Sequence, residues 1–258
     1  MSGAIKRFST RSAATALACL LALNSAFGNS IANCNADAIL VFDASASMSD
    51  VGESLLSVRR IEEAREAVKK SLPDITPFRR VGLMIYGPGP AGTCDNIDLR
   101  LSPISNAATR IIAEIEAIEP DGGTPLTRAV QDAALALDTT REPGVVVLVT
   151  DGADTCGGQT CEVAESLAHT KATVHVIGFR LPFDTLAYSD HTTRVEKSEL
   201  TADQRKRLHT ETRCLADQTG GKFVTADSTD ELVAALQDVL ACPVVGSART
   251  TASHYPPS

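Results

Sequence analysis

Short, unbroken apolar runs alternate with amphipathic stretches from Ala38 to Leu240. Ala38-Ile39-Leu40-Val41-Phe42, Val81-Gly82-Leu83-Met84-Ile85-Tyr86, Val145-Val146-Val147-Leu148-Val149-Thr150 and Ala172 to Phe179 carry few polar residues. Runs of that length without strict alternation predict strands buried on both faces. Between the first two, Val58, Ile61, Ala64, Val68 and Leu72 recur at helical spacing until Pro73 stops the pattern. Further helices are predicted over Ala108 to Ile118, over Pro125 to Leu137 with Thr124 as N-cap, and over Cys161 to His169. A short strand, Ile97 to Leu101, hairpins back after the turn Gly87-Pro88-Gly89-Pro90. Near the end come a helix to about Thr219 stopped by Gly220-Gly221, a strand Lys222 to Thr225, and a last helix to Leu240 opened by a Ser228/Glu231 capping box.

Strand alternating with helix specifies an α/β fold, a doubly wound, mostly parallel sheet with helices on both faces. The predicted domain spans 37–242, after a short lead at 29–36 and before a flexible tail at 243–258. A charged segment near 181–207 lacks core periodicity and reads as a polar insertion. In such a sheet the ligand site lies beyond the carboxyl ends of the strands, at the point where strand order reverses.

The composition narrows the partners. Of 258 residues, 43% are hydrophobic and none is Trp, so the core rests on aliphatic side chains. Asp and Glu outnumber Lys and Arg by 32 to 24, a formal charge of −8, and no basic run occurs. Binding to a phosphate backbone needs clustered cations, so nucleic acid is excluded as a partner.

Residues 1–28 place Lys6, Arg7 and Arg11 before an apolar stretch from Ala13 to Phe27. This is the pattern of a cleaved secretory signal peptide, with cleavage after Gly28 or as late as Ala32, and the stretch is too short and too interrupted to leave a membrane span in the mature protein. The chain is therefore expected to be exported, to a periplasm or to the medium. Once Cys19 is removed, Cys34, Cys94, Cys156, Cys161, Cys214 and Cys242 remain, and an oxidising compartment makes disulfides the expectation. Their 15 connectivities stay open, although Cys34 and Cys242 bracket the patterned region as a clasp would.

Two of the most apolar strands end in aspartates. Asp43-Ala44-Ser45-Ala46-Ser47 follows the first, and Thr150-Asp151-Gly152 closes the one beginning at Val145. Gly122-Gly123-Thr124-Pro125 supplies a third hydroxyl at a helix start. Carboxylate and hydroxyl oxygens without thiolate or imidazole suit a hard cation, and few protein ligands with water filling an octahedron favours Mg²⁺, with Mn²⁺ and Ca²⁺ as alternatives. A cation beside only two carboxylates keeps Lewis acidity for an incoming Glu or Asp.

At these residues the chain resembles the von Willebrand factor A domain, whose metal-ion-dependent adhesion site reads Asp-x-Ser-x-Ser, then Thr, then Asp. The resemblance runs from about Asp37 to Leu240. It implies a Rossmann-like, six-stranded, mostly parallel sheet of order 3-2-1-4-5-6. It also implies a metal held by Ser45, Ser47 and Thr124 through hydroxyls, and by Asp43 and Asp151 directly or through water. Segments such as Ala64 to Val68 and Thr150 to Gly158 point to a bacterial secreted branch. Ala46 stands where the family commonly has glycine, which matters only if that residue needs a positive φ.

The function expected is a non-enzymatic, metal-dependent module that binds a protein partner presenting Glu or Asp. Alternatives are a metal-assisted hydrolase or phosphatase, and a purely structural metal site. A hydrolase needs a base or an activated nucleophile, and no Gly-x-Ser-x-Gly, His-Glu-x-x-His or P-loop motif occurs. His175 reads as a core or edge residue of its strand, His169 as a helix end, and Asp154 as an exposed loop acid.

Overall fold

The computed structural model describes residues 35–51, 58–181 and 202–242, with side chains from 211 onward in the last stretch. The expected signal segment, Cys34, the bulk of the polar insertion and the tail lie outside the described residues.

In chain order the elements are β1 (Asp37–Asp43), α1 (Arg60–Ile75), β2 (Val81–Tyr86), β3 (Ile97–Ile104), α2 (Ala108–Glu116), α3 (Leu126–Ala136), β4 (Gly144–Thr150), α4 (Thr160–Ala168), β5 (Ala172–Phe179), α5 (Ala202–Thr219), β6 (Phe223–Ala226) and α6 (Thr229–Leu240). The sheet has order β3-β2-β1-β4-β5-β6. Every neighbouring pair is parallel except β2 and β3, whose antiparallel pairing carries register irregularities near Leu83. Sheet order and fold class thus agree with expectation.

The period of two along each strand divides the core. Leu40, Phe42, Leu83, Ile85, Val147 and Val149 face α1, α2 and α6. Their neighbours Ile39, Val41, Met84, Tyr86, Val146 and Leu148 face α3, α4 and α5. Alternate side chains of a strand point to opposite faces, so an unbroken apolar run is what a sheet covered twice requires.

Local chemistry moves several boundaries. Pro73 does not stop α1 but sits inside its last turn. The ring removes one backbone donor, yet Thr76 N–H still reaches the Leu72 carbonyl at 3.0 Å and the helix runs two residues on to buried Ile75. Thr124 is not the N-cap of α3: Pro125 takes that position without a side-chain hydrogen bond. The carboxylate of Asp154 serves instead, accepting the Thr127 N–H at 3.0 Å. Gly220 ends α5 at φ +72°, and Ser228 caps α6 by accepting the Glu231 N–H. Glu231 reciprocates at Asp227 N–H, one residue before the cap. α5 begins at Ala202, so the last residues of the expected insertion are helical.

Candidate metal centre

β1 and β4 lie side by side, and their carboxyl ends bring Asp43 and Asp151 to one place. Asp43 is fully buried. Its Oδ1 accepts the Ser45 N–H at 2.8 Å and its Oδ2 accepts the Thr150 hydroxyl at 2.7 Å. A short 3₁₀ turn over Ala46–Ser49 then sets Ser45 and Ser47 hydroxyl to hydroxyl, 3.1 Å apart. Ala46 is absent from the residues at positive φ, so its Cβ meets no backbone penalty.

Ser47 donates to Asp151 Oδ1 at 2.7 Å, closing a chain of contacts from one aspartate through both serines to the other. The second Asp151 oxygen accepts from the Arg60 guanidinium, also at 2.7 Å. Burial, followed by the negative charge of Asp43, pushes the Asp151 carboxyl up to about 6 against the opposing pull of Arg60 and Ser47.

Thr124 arrives on a loop tied to the first one. Asp121 N–H donates to the Ala44 carbonyl at 3.1 Å, and Ala46 N–H to the Gly122 carbonyl at 3.3 Å. The close approach depends on two glycines. A Cβ on Gly87 (φ +104°) would lie 2.4 Å from Ser45 N, and one on Gly122 (φ +74°) would lie 2.4 Å from the Gly87 carbonyl oxygen. On its other side Thr124 exchanges two bonds with Thr155, giving its N–H to Thr155 Oγ1 at 2.8 Å and accepting the Thr155 N–H at 3.1 Å. All five residues singled out in the sequence therefore converge at one end of the sheet.

Several neighbours escaped sequence analysis. Arg60 opens α1 directly behind Arg59, and two cations at a helix N-terminus oppose its dipole, a local anomaly that signals another purpose. Tyr86, fully buried at the end of β2, lies beside Asp43 and Thr150. Burial first, and then the adjacent Asp43, push its ionisation well above the ordinary range. Asp154 is neither an exposed acid nor part of the carboxylate pair. Its oxygens accept the N–H groups of Thr127, Cys156 and Gly158, and it organises the turn after β4.

The donor set fits a divalent cation. Two buried carboxylates, the two serine hydroxyls linked to them and a third hydroxyl on the adjoining loop are hard oxygen donors, and a hard cation would offset the charge that Arg60 relieves only on one side. No group of three or more His, Cys, Asp or Glu occurs among the described residues, so hydroxyls and water would have to complete the coordination.

The cysteines pair as Cys94–Cys156 and Cys161–Cys214. His175 behaves as a core residue: its Nδ1 accepts the Lys222 N–H at 3.0 Å, and burial, then the nearby cations, lower it to about 4. His169 is the C-cap of α4.

Comparison with known proteins follows the same outline. The family model for the von Willebrand factor type A domain matches residues 38–153. Uncharacterized protein YwmC of Bacillus subtilis is 28% identical over 153 residues, which span 56% of this chain and 66% of that protein. Among solved structures, a von Willebrand factor type A protein from Catenulispora acidiphila superposes with a TM-score of 0.55 at 16% identity, covering 80% of this chain and 42% of that one. The pilus adhesin SpaC from Lactobacillus rhamnosus GG gives 0.54 at 18% identity, covering 82% of this chain and 31% of the adhesin.

Proposed function

We propose that this chain, whose residues 38–153 match the von Willebrand factor type A family model, is an exported, non-enzymatic module that binds a protein partner through a divalent metal. Asp43, Ser45, Ser47, Thr124 and Asp151 hold the ion, and Mg²⁺ is the ion preferred. When bound, the metal supplies Lewis acidity toward a carboxylate of the partner, a Glu or Asp side chain. The protein's own part is to present three neutral hydroxyls and only two carboxylates, which leaves the ion under-neutralised and open to an anion. Ser47 and the Asp43 backbone contacts fix the donors before the ion arrives.

The observation that carries this reading is the buried pair Asp43 and Asp151, linked through the backbone and hydroxyl of Ser45 and the hydroxyl of Ser47. The likeness to a pilus adhesin is consistent with a protein-binding role. Two disulfides suit an oxidising compartment, and no helix among the described residues is long and apolar enough to cross a membrane. The test is isothermal titration of the oxidised, signal-free protein with Mg²⁺ and Mn²⁺, beside a Ser45→Ala/Ser47→Ala variant of equal fold. Saturable one-site binding that disappears in the variant is expected; no binding by the wild type overturns the reading.

A further inference from the structure

Among the five proposed ligands, Thr124 lies outside the side-chain hydrogen bonds that link Asp43, Ser45, Ser47 and Asp151, and besides the two backbone bonds from Asp121 and Ala46 its loop is held from two further sides. Gly123 N–H donates to the Thr93 carbonyl at 2.9 Å on one side. Thr124 exchanges its two backbone bonds with Thr155 on the other. Thr93 and Thr155 are the residues immediately before Cys94 and Cys156, and those two cysteines are joined. The disulfide thus closes a ring of covalent and hydrogen bonds around the Gly123–Thr124 backbone. The contact is direct: a Cβ on Gly123 would lie 3.0 Å from each of the two sulfurs and 2.9 Å from the Thr93 carbonyl oxygen.

The jaws of this ring are otherwise loops. The stretch between β2 and β3 holds itself by Asn96 Nδ2 to Thr93 Oγ1 (2.8 Å) and Thr93 Oγ1 to the Pro90 carbonyl (2.7 Å). The turn after β4 is held by Asp154. No direct side-chain or backbone hydrogen bond among the described residues joins the Thr93–Cys94 jaw to the Thr155–Cys156 jaw except through Gly123 and Thr124.

We propose that Cys94–Cys156 is a positioning device for Thr124: it fixes the third hydroxyl of the metal site, so that metal affinity depends on this disulfide and not on Cys161–Cys214. The inference rests on the metal-site reading above. The second disulfide is a built-in control. It joins α4 to α5, which contribute none of the five proposed ligands, and it closes a comparable span of 53 residues against 62. Loop-closure entropy depends only weakly on such a difference, so the two bridges should restrain the unfolded chain alike. They differ in what they touch in the folded one.

The experiment is Mn²⁺ titration, followed by calorimetry and by the electron paramagnetic resonance of free Mn²⁺, on four oxidised proteins: wild type, Cys94→Ser/Cys156→Ser, Cys161→Ser/Cys214→Ser, and Gly123→Ala, which keeps every cysteine. Removing the first bridge is expected to weaken binding about 10- to 100-fold, the range found when groups that orient metal ligands are lost. The second removal should lower Tm and leave affinity within about twofold of wild type, while Gly123→Ala, whose Cβ pushes on the bridge and the Thr93 carbonyl, should weaken binding several-fold along with some loss of Tm. Thr124→Ala closes the cycle: its effect on affinity should be large with the Cys94–Cys156 bridge intact and much smaller without it, a coupling that general loosening does not produce. Equal loss on removing either bridge, or wild-type affinity without Cys94–Cys156, overturns the clamp while leaving the metal site standing. Should the first cysteine pair prove necessary for folding, unchanged affinity in Gly123→Ala overturns it instead. Absence of wild-type binding overturns the site itself, and the clamp with it.

Discussion

The two halves of the site are built by different means. Asp43 and Asp151 sit at the ends of β1 and β4, fully or almost fully buried, and their positions follow from the register of two core strands. Thr124 sits on a loop, located by glycines with no room for a side chain, by backbone bonds to neighbouring loops and by a disulfide. One half is an extension of the core, and the other is fastened from outside. The difference teaches that charge and burial should govern the first half, whereas covalent and steric details of surface loops should govern the second.

The largest effect is expected where the core half is broken outright. Asp43→Ala should abolish metal binding, because it deletes one carboxylate and also strands the buried Ser45 N–H, an unsatisfied donor costing about 1–3 kcal/mol, while the Thr150 hydroxyl falls back on the Gly152 carbonyl. Urea unfolding together with Mg²⁺ titration checks both consequences. Next comes Arg60→Met, which leaves Asp151 without its cation. At pH 8 the metal-free protein should lose roughly 3 kcal/mol, as for other buried pairs broken on one side, and should lose less at pH 5, where Asp151 takes up a proton. Added Mg²⁺ should restore part of the deficit at pH 8, so the gain in melting temperature on adding metal should be larger than in wild type.

A third, smaller effect concerns pH in the unaltered chain. The folded Asp151 carboxyl lies above its ordinary value, so its contribution to metal-free stability is full at low pH and is lost as pH rises through about 6. Metal requires the ionised form, hence affinity should fall between pH 7.5 and 5 in a titration series. His175 supplies the opposing trend from a part of the sheet that holds no proposed ligand. Its folded value of about 4 lies below the ordinary 6.5, so the stability it contributes is present above about 6.5 and lost as pH falls toward 4. His175→Gln should flatten the acid limb of a Tm-against-pH curve while leaving Mg²⁺ affinity at pH 7.5 unchanged, the smallest expected effect on the site.

The same division decided what could be read from the sequence. Apolar runs such as Val145 to Val149 announce buried strands by composition alone, and the aspartates after them announce where those strands end. Sheet order came with the resemblance that these residues carry, and the structure agrees with it. Arg60 was hidden because periodicity assigns it to the polar side of its helix without saying what lies beyond the first turn. Cysteine pairing is a matter of distances between segments far apart in the chain, loops in one bridge and helices in the other, which spacing does not encode. Asp154 was misjudged because a loop carboxylate looks the same in sequence whether it faces water or accepts three backbone donors. Pro73 failed as a stop signal because burial of Ile75 outweighs one lost hydrogen bond in a last turn.

The position of β1 in the sheet has a consequence for how the chain reaches its fold. It is the first strand among the described residues yet lies in the interior of the sheet, paired with β2 on one side and β4 on the other, and Phe42 meets Val149 across 107 intervening bonds of chain. Until Gly144–Thr150 has emerged, one edge of this buried strand stays bare, able to pair with any other extended segment. Contacts so distant in sequence form slowly, and the exposed edge invites aggregation while they do. A chain threaded across a membrane in N-to-C order would bring out this vulnerable strand first and its partner about a hundred residues later, so a holding factor at the exit side would act on the Asp37–Asp43 segment before any other.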